Sequence, residues 1–271
     1  MSKQGAVFFV VAGLLITGLV ARVFVTLNQS DTHAPKQNFS VSNTPNSEPA
    51  TSHQTLPASL PQNPLPTPES STEGLLTSPR ALPAEVNWAV PFTSQAPFGH
   101  WEAPFKEFCE EASTLMVAHY FQHESIATPE AAAAGLLDIQ AFEQKEFGYW
   151  EDTTASEVAV ILKKHFGIQD VHILANPTAE DLKEALAAGK LIILPAAGRL
   201  LGNPYFTPPG PLYHMLVIKG YTKSGQFITN DPGTRRGADF MYEPATLLNA
   251  LHDWRSDGNI EQGQKVLLVV G

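Results

Sequence analysis

The composition of this 271-residue chain changes abruptly near residue 85, and the change limits the folded part to the sequence that follows. Residues 28–84 are rich in Pro, Ser, Thr, Asn and Gln and contain few large apolar side chains. Such a segment cannot bury enough apolar surface to offset the entropy lost on ordering, so we expect a disordered stalk. Residues 85–271 have the length of one domain with a full hydrophobic core.

An apolar run over residues 5–27 precedes the stalk, and Arg22 is the one charged residue within it. Its length matches the roughly 20 residues that a membrane-spanning helix needs. A cleavable signal peptide is the alternative, but Leu19 is too large for the position three residues before a cut after Ala21. We therefore expect residues 1–27 to form one uncleaved transmembrane anchor, with the domain outside the cytoplasm.

Within the domain, helical patterns come mostly first and strand patterns second. Apolar periodicity and N-cap residues predict helices at Cys109–Gln122, Pro129–Phe147, Thr154–Phe166, Thr178–Ala188 and Pro244–His252. Short apolar runs predict extended segments at Val86–Thr93, Val171–Leu174, Leu191–Pro195, Tyr213–Tyr221, Gln226–Asn230, Asp239–Tyr242 and Lys265–Val270. This order favours an α+β fold with an N-terminal helical part, a C-terminal antiparallel sheet and segregated layers.

Cys109 is the only cysteine in the chain, which excludes an internal disulfide framework and a cysteine-rich zinc site. It stands at the start of a predicted helix, where unpaired backbone N–H groups and the helix dipole favour a thiolate. The thiolate is the nucleophilic form of cysteine. The alternative is a buried structural cysteine without reactivity.

His214 and Asp231 are the residues best placed to assist a nucleophile. His214 opens an apolar strand directly after a Gly- and Pro-rich loop, and Asp231 follows the next strand. If the two strands pair antiparallel, the end of the second returns beside the start of the first, so we expect the two side chains to be neighbours. The alternatives are a core histidine bonded to the backbone and an ordinary Asp-Pro-Gly turn.

Four motifs follow one another along the chain: Val90–Gln95, Cys109–Ser113, His214 with Gly220–Tyr221, and Asn230–Pro232. In this order they resemble the cysteine peptidases that process the double-glycine leader peptides of bacteriocins, and most closely the stand-alone relatives without a transporter. The resemblance implies a papain-like fold. It also implies roles for four residues: Gln95 as oxyanion-hole donor, Cys109 as nucleophile, His214 as general base and acid, and Asp231 as the residue that orients the imidazole.

Glu110 and Glu111 depart from the Gly-Pro that commonly follows the family's cysteine. They suit the helix dipole, but negative charge beside a thiol opposes its ionisation. An activated thiol therefore requires an ion pair with protonated His214 that outweighs this effect, or side chains of Glu110 and Glu111 that point away from Cys109; Lys106 is a candidate to neutralise one of them.

The sequence gives little indication of a metal site or of nucleic-acid binding. His119 and His123 have a spacing that can hold a metal, but Tyr120 stands where a zinc protease carries its glutamate and no third ligand is evident, so we expect no metal and no cofactor. The net charge of −10 and the missing basic stripe argue against nucleic-acid binding.

The loop over residues 198–212 is a candidate flap over the substrate cleft. Of six aromatic residues we expect at most two or three to line the cleft and the others to lie in the core: Trp101, Phe105, Phe108, Tyr149, Trp150 and Tyr205.

The sequence thus predicts a membrane-anchored cysteine peptidase or amidase that acts on a peptide substrate through a thioester intermediate. An acyltransferase is one alternative. A catalytically inactive module of the same fold, binding peptide or cell-wall glycan, is the other. The double-glycine specificity of the family is not assumed, because this chain contains no transporter to present such leaders.

Overall fold

The computed structural model describes residues 81–271. The predicted anchor at residues 1–27 and all but the last four residues of the predicted stalk lie outside this part of the chain. Within residues 81–271, none of the helices combines the length and the apolar character that a membrane crossing requires.

Five α-helices and three short 3-10 helices form in the domain. The α-helices are α1 (Cys109–Gln122), α2 (Pro129–Glu146), α3 (Ala155–Lys164), α4 (Ala179–Ala187) and α5 (Pro244–Ala250). The 3-10 helices span Phe105–Glu107, Gly198–Leu201 and Ile260–Gln262. Threonine side chains accept a backbone N–H at the starts of α2, α3 and α4, which explains why these boundaries lie within one or two residues of the sequence-based expectation.

Seven strands form one antiparallel sheet. They are β1 (Val86–Asn87), β2 (Val171–Ala175), β3 (Leu191–Ala197), β4 (Tyr213–Tyr221), β5 (Phe227–Asn230), β6 (Phe240–Tyr242) and β7 (Val266–Val270). The strand order is β2-β7-β3-β4-β5-β6, with β1 paired to the far end of β4. This confirms the predicted α+β class and the antiparallel sheet.

The helices cover both faces of the sheet, so the expectation of segregated layers is wrong. Ile193 and Val217 face a core shared with α1, α2 and α3, whereas their neighbours Ile192 and Leu216 face a core shared with α4 and α5. Because both faces are covered, β3 and β4 are apolar at successive positions rather than at alternate ones. These two central strands form the rigid support for the candidate site.

Candidate active site

His214 and Asp231 lie side by side at one end of the sheet. His214 is the second residue of β4, and Asp231 directly follows β5, which pairs with β4 through Val217 and Asn230. The Nε2 atom of His214 lies 2.8 Å from Asp231 Oδ1, and both side chains are buried. Since Nε2 is engaged by the carboxylate, Nδ1 is the imidazole nitrogen left for proton transfer.

Four donors converge on the Asp231 carboxylate. Besides the imidazole, Oδ1 accepts from the backbone N–H of Gly233 at 3.0 Å. Oδ2 accepts from the Asn203 amide at 2.9 Å and from the Tyr242 hydroxyl at 2.7 Å. Burial opposes ionisation of Asp231, but His214 and the donated hydrogen bonds outweigh it and hold the pKa of Asp231 below its ordinary value. Asp231 is therefore a fixed, ionised partner for the imidazole.

Cys109 begins α1, as predicted, where this helix packs against β4. The thiol is 7% exposed, and the backbone of Met215 lies near enough to its sulfur to favour ionisation. Met215 is the residue after His214, so the fold brings the sulfur to the strand that carries the imidazole. Within residues 81–271, however, the thiol itself donates to Glu110 Oε2 at 2.9 Å, and no hydrogen bond joins the sulfur to His214.

The Cys109 thiol is held in its protonated form in this arrangement. Burial raises its pKa well above the ordinary value, and the charge and hydrogen bond of Glu110 raise it further. The expectation that the helix start favours the thiolate is therefore wrong for this arrangement. A dipole effect of about 0.3–1 kcal/mol is smaller than the cost of a charge removed from water.

Gln95 connects the two sides of the site. Its side-chain amide donates to the carbonyl oxygens of Phe105 at 3.2 Å and Lys106 at 2.7 Å, in the segment immediately before α1. Its backbone N–H donates to the carbonyl of Pro232 at 3.0 Å, in the loop after β5. Both amide hydrogens are engaged, so the role of Gln95 as oxyanion-hole donor stays a prediction that requires one of these bonds to open.

Glu110 and Glu111 enter the core, which contradicts the expectation that they point away or are neutralised by Lys106. Glu110 is 1% exposed and Glu111 is 0% exposed, whereas Lys106 pairs with Glu107 on the surface. Both glutamates lie in the first turn of a helix that is packed between α2 and the sheet, so no solvent-facing direction is open to them.

A third buried carboxyl, Glu143 of α2, lies against Glu111. Neither oxygen of Glu111 has a hydrogen-bond partner among the described residues, and the charge of Glu143 opposes ionisation of Glu111. Burial raises the pKa of Glu110, Glu111 and Glu143, so each of these carboxyls keeps its proton to a higher pH than an exposed glutamate does.

Two residues that hydrogen-bond to Asp231 could not be identified from the local sequence. Asn203 and Tyr242 reach Asp231 from positions 28 and 11 residues away, and neither belongs to a motif. Among residues 81–271, no group of three or more His, Cys, Asp and Glu side chains is arranged to hold a metal ion. His119 contacts Glu124 instead, at 3.8 Å.

Two of the six aromatic candidates, Trp101 and Tyr205, line an open cavity of about 450 Å³. Phe108 is instead fully buried in the core, where its ring packs against those of Phe105 and Trp150. Within the candidate flap, residues 198–212, Tyr205 lines this cavity and Asn203 donates a hydrogen bond to Asp231.

Comparison with known proteins matches residues 88–260 to the Peptidase_C39 like family. No curated protein matches the sequence. One similar solved structure is described as a C39-like peptidase from Bacillus anthracis; it is 17% identical, with 69% of this chain and 98% of that chain covered and a TM-score of 0.45. A prointerpain A fragment from Prevotella intermedia is 16% identical over 69% of this chain and 72% of that chain, with a TM-score of 0.46. Active interpain A cysteine protease from the same organism is 17% identical over 69% and 95%, with a TM-score of 0.41.

Proposed function

Because this chain belongs to the Peptidase_C39 like family and is a cysteine peptidase, we propose that it hydrolyses a peptide or amide bond with Cys109 as the nucleophile. The observation that carries this proposal is the buried hydrogen bond between His214 and Asp231 on the strand against which the helix of Cys109 packs. A nucleophilic cysteine needs a base within reach and a group that orients the base, and these three residues supply that set.

The proposed reaction begins with transfer of the thiol proton to Nδ1 of His214, while Nε2 stays bound to Asp231. The sulfur then attacks the carbonyl carbon, and the oxyanion that forms takes a hydrogen bond from Gln95 once that amide leaves one of its backbone acceptors. The imidazolium returns its proton to the leaving amine, and a thioester on Cys109 remains. Water activated by His214 hydrolyses the thioester and regenerates the thiol.

The test uses the fact that the chain contains one cysteine. We expect the full chain to release new amino termini from an unstructured protein such as casein, and iodoacetamide to add one adduct to its intact mass. Cys109→Ala should abolish both. Hydrolysis that persists in Cys109→Ala, with the fold intact by circular dichroism, would refute the proposal.

A second candidate function is an inactive module that binds peptides without cleaving them. The observation in its favour is the hydrogen bond from the Cys109 thiol to Glu110, which opposes ionisation of the sulfur. This function predicts that casein-derived peptides are retained with equal affinity by the native chain and by Cys109→Ser, and that neither protein yields cleavage products.

We also propose that the peptidase acts outside the cytoplasm on a membrane tether. The support is the apolar run of residues 5–27 followed by the Pro- and Ser-rich segment up to residue 84. The full chain should fractionate with membranes and be digested by protease added to intact cells. Deletion of residues 1–27 should release the domain from the membrane fraction.

A further inference from the structure

The open cavity beside the candidate active site is built from three loops. Gly99 and Trp101 come from the segment after Gln95, Tyr205 comes from the loop before β4, and Thr234, Arg235 and Arg236 come from the loop after β5. Its volume of about 450 Å³ is within the range of ligand sites in proteins. The cavity therefore lies where the loops that carry the catalytic candidates meet.

Gly233 places this cavity next to the imidazole. It lines the cavity, and a Cβ atom added to it would lie 2.8 Å from Cε1 of His214. Its backbone N–H also donates to the Asp231 carboxylate. A group bound in the cavity is thus separated from the His214 ring by the backbone of one residue.

The charge of the cavity is opposite to that of the protein. Arg235 and Arg236 are its charged lining residues, and none of the described residues that line it is acidic. Neither guanidinium forms an ion pair within residues 81–271, whereas Arg255 pairs with Asp257 and Lys219 pairs with Asp239. The whole chain has a net charge of −10, so the local charge of a site lined by two arginines is opposite in sign to that of the protein.

Both guanidinium groups are held in place without a carboxylate. Arg236 lies over the ring of Tyr205, at 4.9 Å from its centroid, and Tyr205 in turn packs edge-on against Phe240. Arg235 packs against Gly99, where an added Cβ would lie 2.9 Å from Nη1, and the φ angle of +77° at Gly99 favours glycine there. A guanidinium stacked on a ring keeps its N–H edge free to bind a carboxylate with two hydrogen bonds.

We propose that this cavity is a substrate subsite that selects acidic peptides, with Arg235 and Arg236 binding a carboxylate located within a residue or two of the bond that is cleaved. This inference rests on the proposed function, since it assigns a substrate class to the same site. Trp101 and Tyr205 are 42% and 46% exposed and supply apolar surface for the stem of the acidic side chain.

The first experiment measures binding without requiring catalysis. Acetyl-tetraglutamate and acetyl-tetraglutamine are titrated calorimetrically into the full chain carrying Cys109→Ala, so that no turnover occurs. We expect the glutamate peptide to bind and the glutamine peptide to bind roughly tenfold more weakly, because two exposed arginine–carboxylate pairs support a change of that size. Arg235→Gln with Arg236→Gln should remove the difference, and Arg255→Gln should keep it.

The second experiment connects the subsite to Cys109. Iodoacetate is the anionic counterpart of iodoacetamide. The ratio of the iodoacetate rate to the iodoacetamide rate at Cys109 therefore reports the local charge near the sulfur. We expect the double glutamine variant to lower this ratio severalfold, while Arg255→Gln leaves it unchanged.

The outcomes separate this proposal from the proposed function. Equal binding of the two peptides, or a glutamate preference that survives loss of both arginines, would overturn the acidic subsite. A glutamate preference together with an unreactive Cys109 would support the subsite and refute the peptidase mechanism.

Discussion

The strand side of the candidate site gives each oxygen of its buried Asp231 carboxylate two donors. The helix side buries three glutamate carboxyls, and among the described residues both oxygens of Glu111 and one of Glu143 have no hydrogen-bond partner. A satisfied buried carboxylate stays ionised and fixed, but an unsatisfied one retains its proton. In the proposed mechanism, the base His214 and its orienting acid Asp231 are therefore already in place, whereas the proposed nucleophile Cys109 is held as a thiol beside Glu110. The proposed mechanism then requires substrate binding to activate the thiol rather than the imidazole.

Asp231→Asn should give the largest effect, because it removes the charge that orients and stabilises the imidazolium. We expect kcat/KM to fall by about 10³- to 10⁴-fold, as for acids that orient a catalytic histidine in other enzymes. Casein cleavage and iodoacetamide labelling should both decline. Asp257→Asn, which removes a surface carboxylate paired with Arg255, is the matched control and should leave both unchanged.

Tyr242→Phe should have the next largest effect, because it removes the hydroxyl that donates to Asp231 and accepts from Asn203 while keeping the ring. A hydrogen bond to a charged group contributes about 1.5–3 kcal/mol, so we expect a loss of that size in the free energy of unfolding. Loss of the donor also raises the pKa of Asp231, which moves the acidic limit of activity to higher pH. Tyr221→Phe removes a hydroxyl that donates to the neutral carbonyl of Pro83 and should cost less and leave the pH limit in place.

Glu110→Gln should increase the reactivity of Cys109. The amide keeps an oxygen that accepts from the thiol but cannot acquire the negative charge that opposes its ionisation. We expect iodoacetamide labelling to become roughly tenfold faster at alkaline pH, where an ionised Glu110 opposes the thiolate, and to change less as the pH falls and Glu110 takes up its proton. Glu107→Gln, two residues before Cys109 and on the surface, is the control. Equal rates in Glu110→Gln and the native chain at every pH would contradict this comparison.

Glu143→Gln should change stability rather than chemistry. The pKa of Glu143 is raised in the folded state, so the folded protein binds more protons than the unfolded chain above the ordinary glutamate pKa. Stability therefore falls as pH rises from about 4.3 towards the raised pKa, by up to about 1.4 kcal/mol per pH unit for each such carboxyl. Glu143→Gln should flatten this slope in denaturant unfolding between pH 5 and pH 8. Glu146→Gln, on the exposed face of the same helix, should leave it unchanged.

The elements that the sequence predicted best are those whose signals are local. The bounds of α1 match the prediction as Cys109–Gln122. The hairpin of β4 and β5 brings Asp231 near His214 as predicted from its turn, although the sequence did not predict the shift in register between Ile218 and Gly220. The position of β7 between β2 and β3 had no local signal, because strand order depends on pairing across the whole domain. For the same reason, the sequence identified the charge of Glu110 beside the thiol but not its direction, which the packing of α1 against α2 and the sheet determines.

The most direct test of this account is the rate at which iodoacetamide alkylates Cys109 between pH 5 and pH 9 in the native chain and in His214→Gln. If the imidazole ionises the thiol, replacement of His214 should slow labelling at neutral pH at least a hundredfold, in line with the usual contribution of a general base, and should abolish casein hydrolysis. His119→Gln, which alters a histidine on α1 away from Asp231, should label like the native chain. Unchanged labelling and an unchanged pH profile in His214→Gln would show that the thiol and the imidazole act independently, which contradicts the central claim.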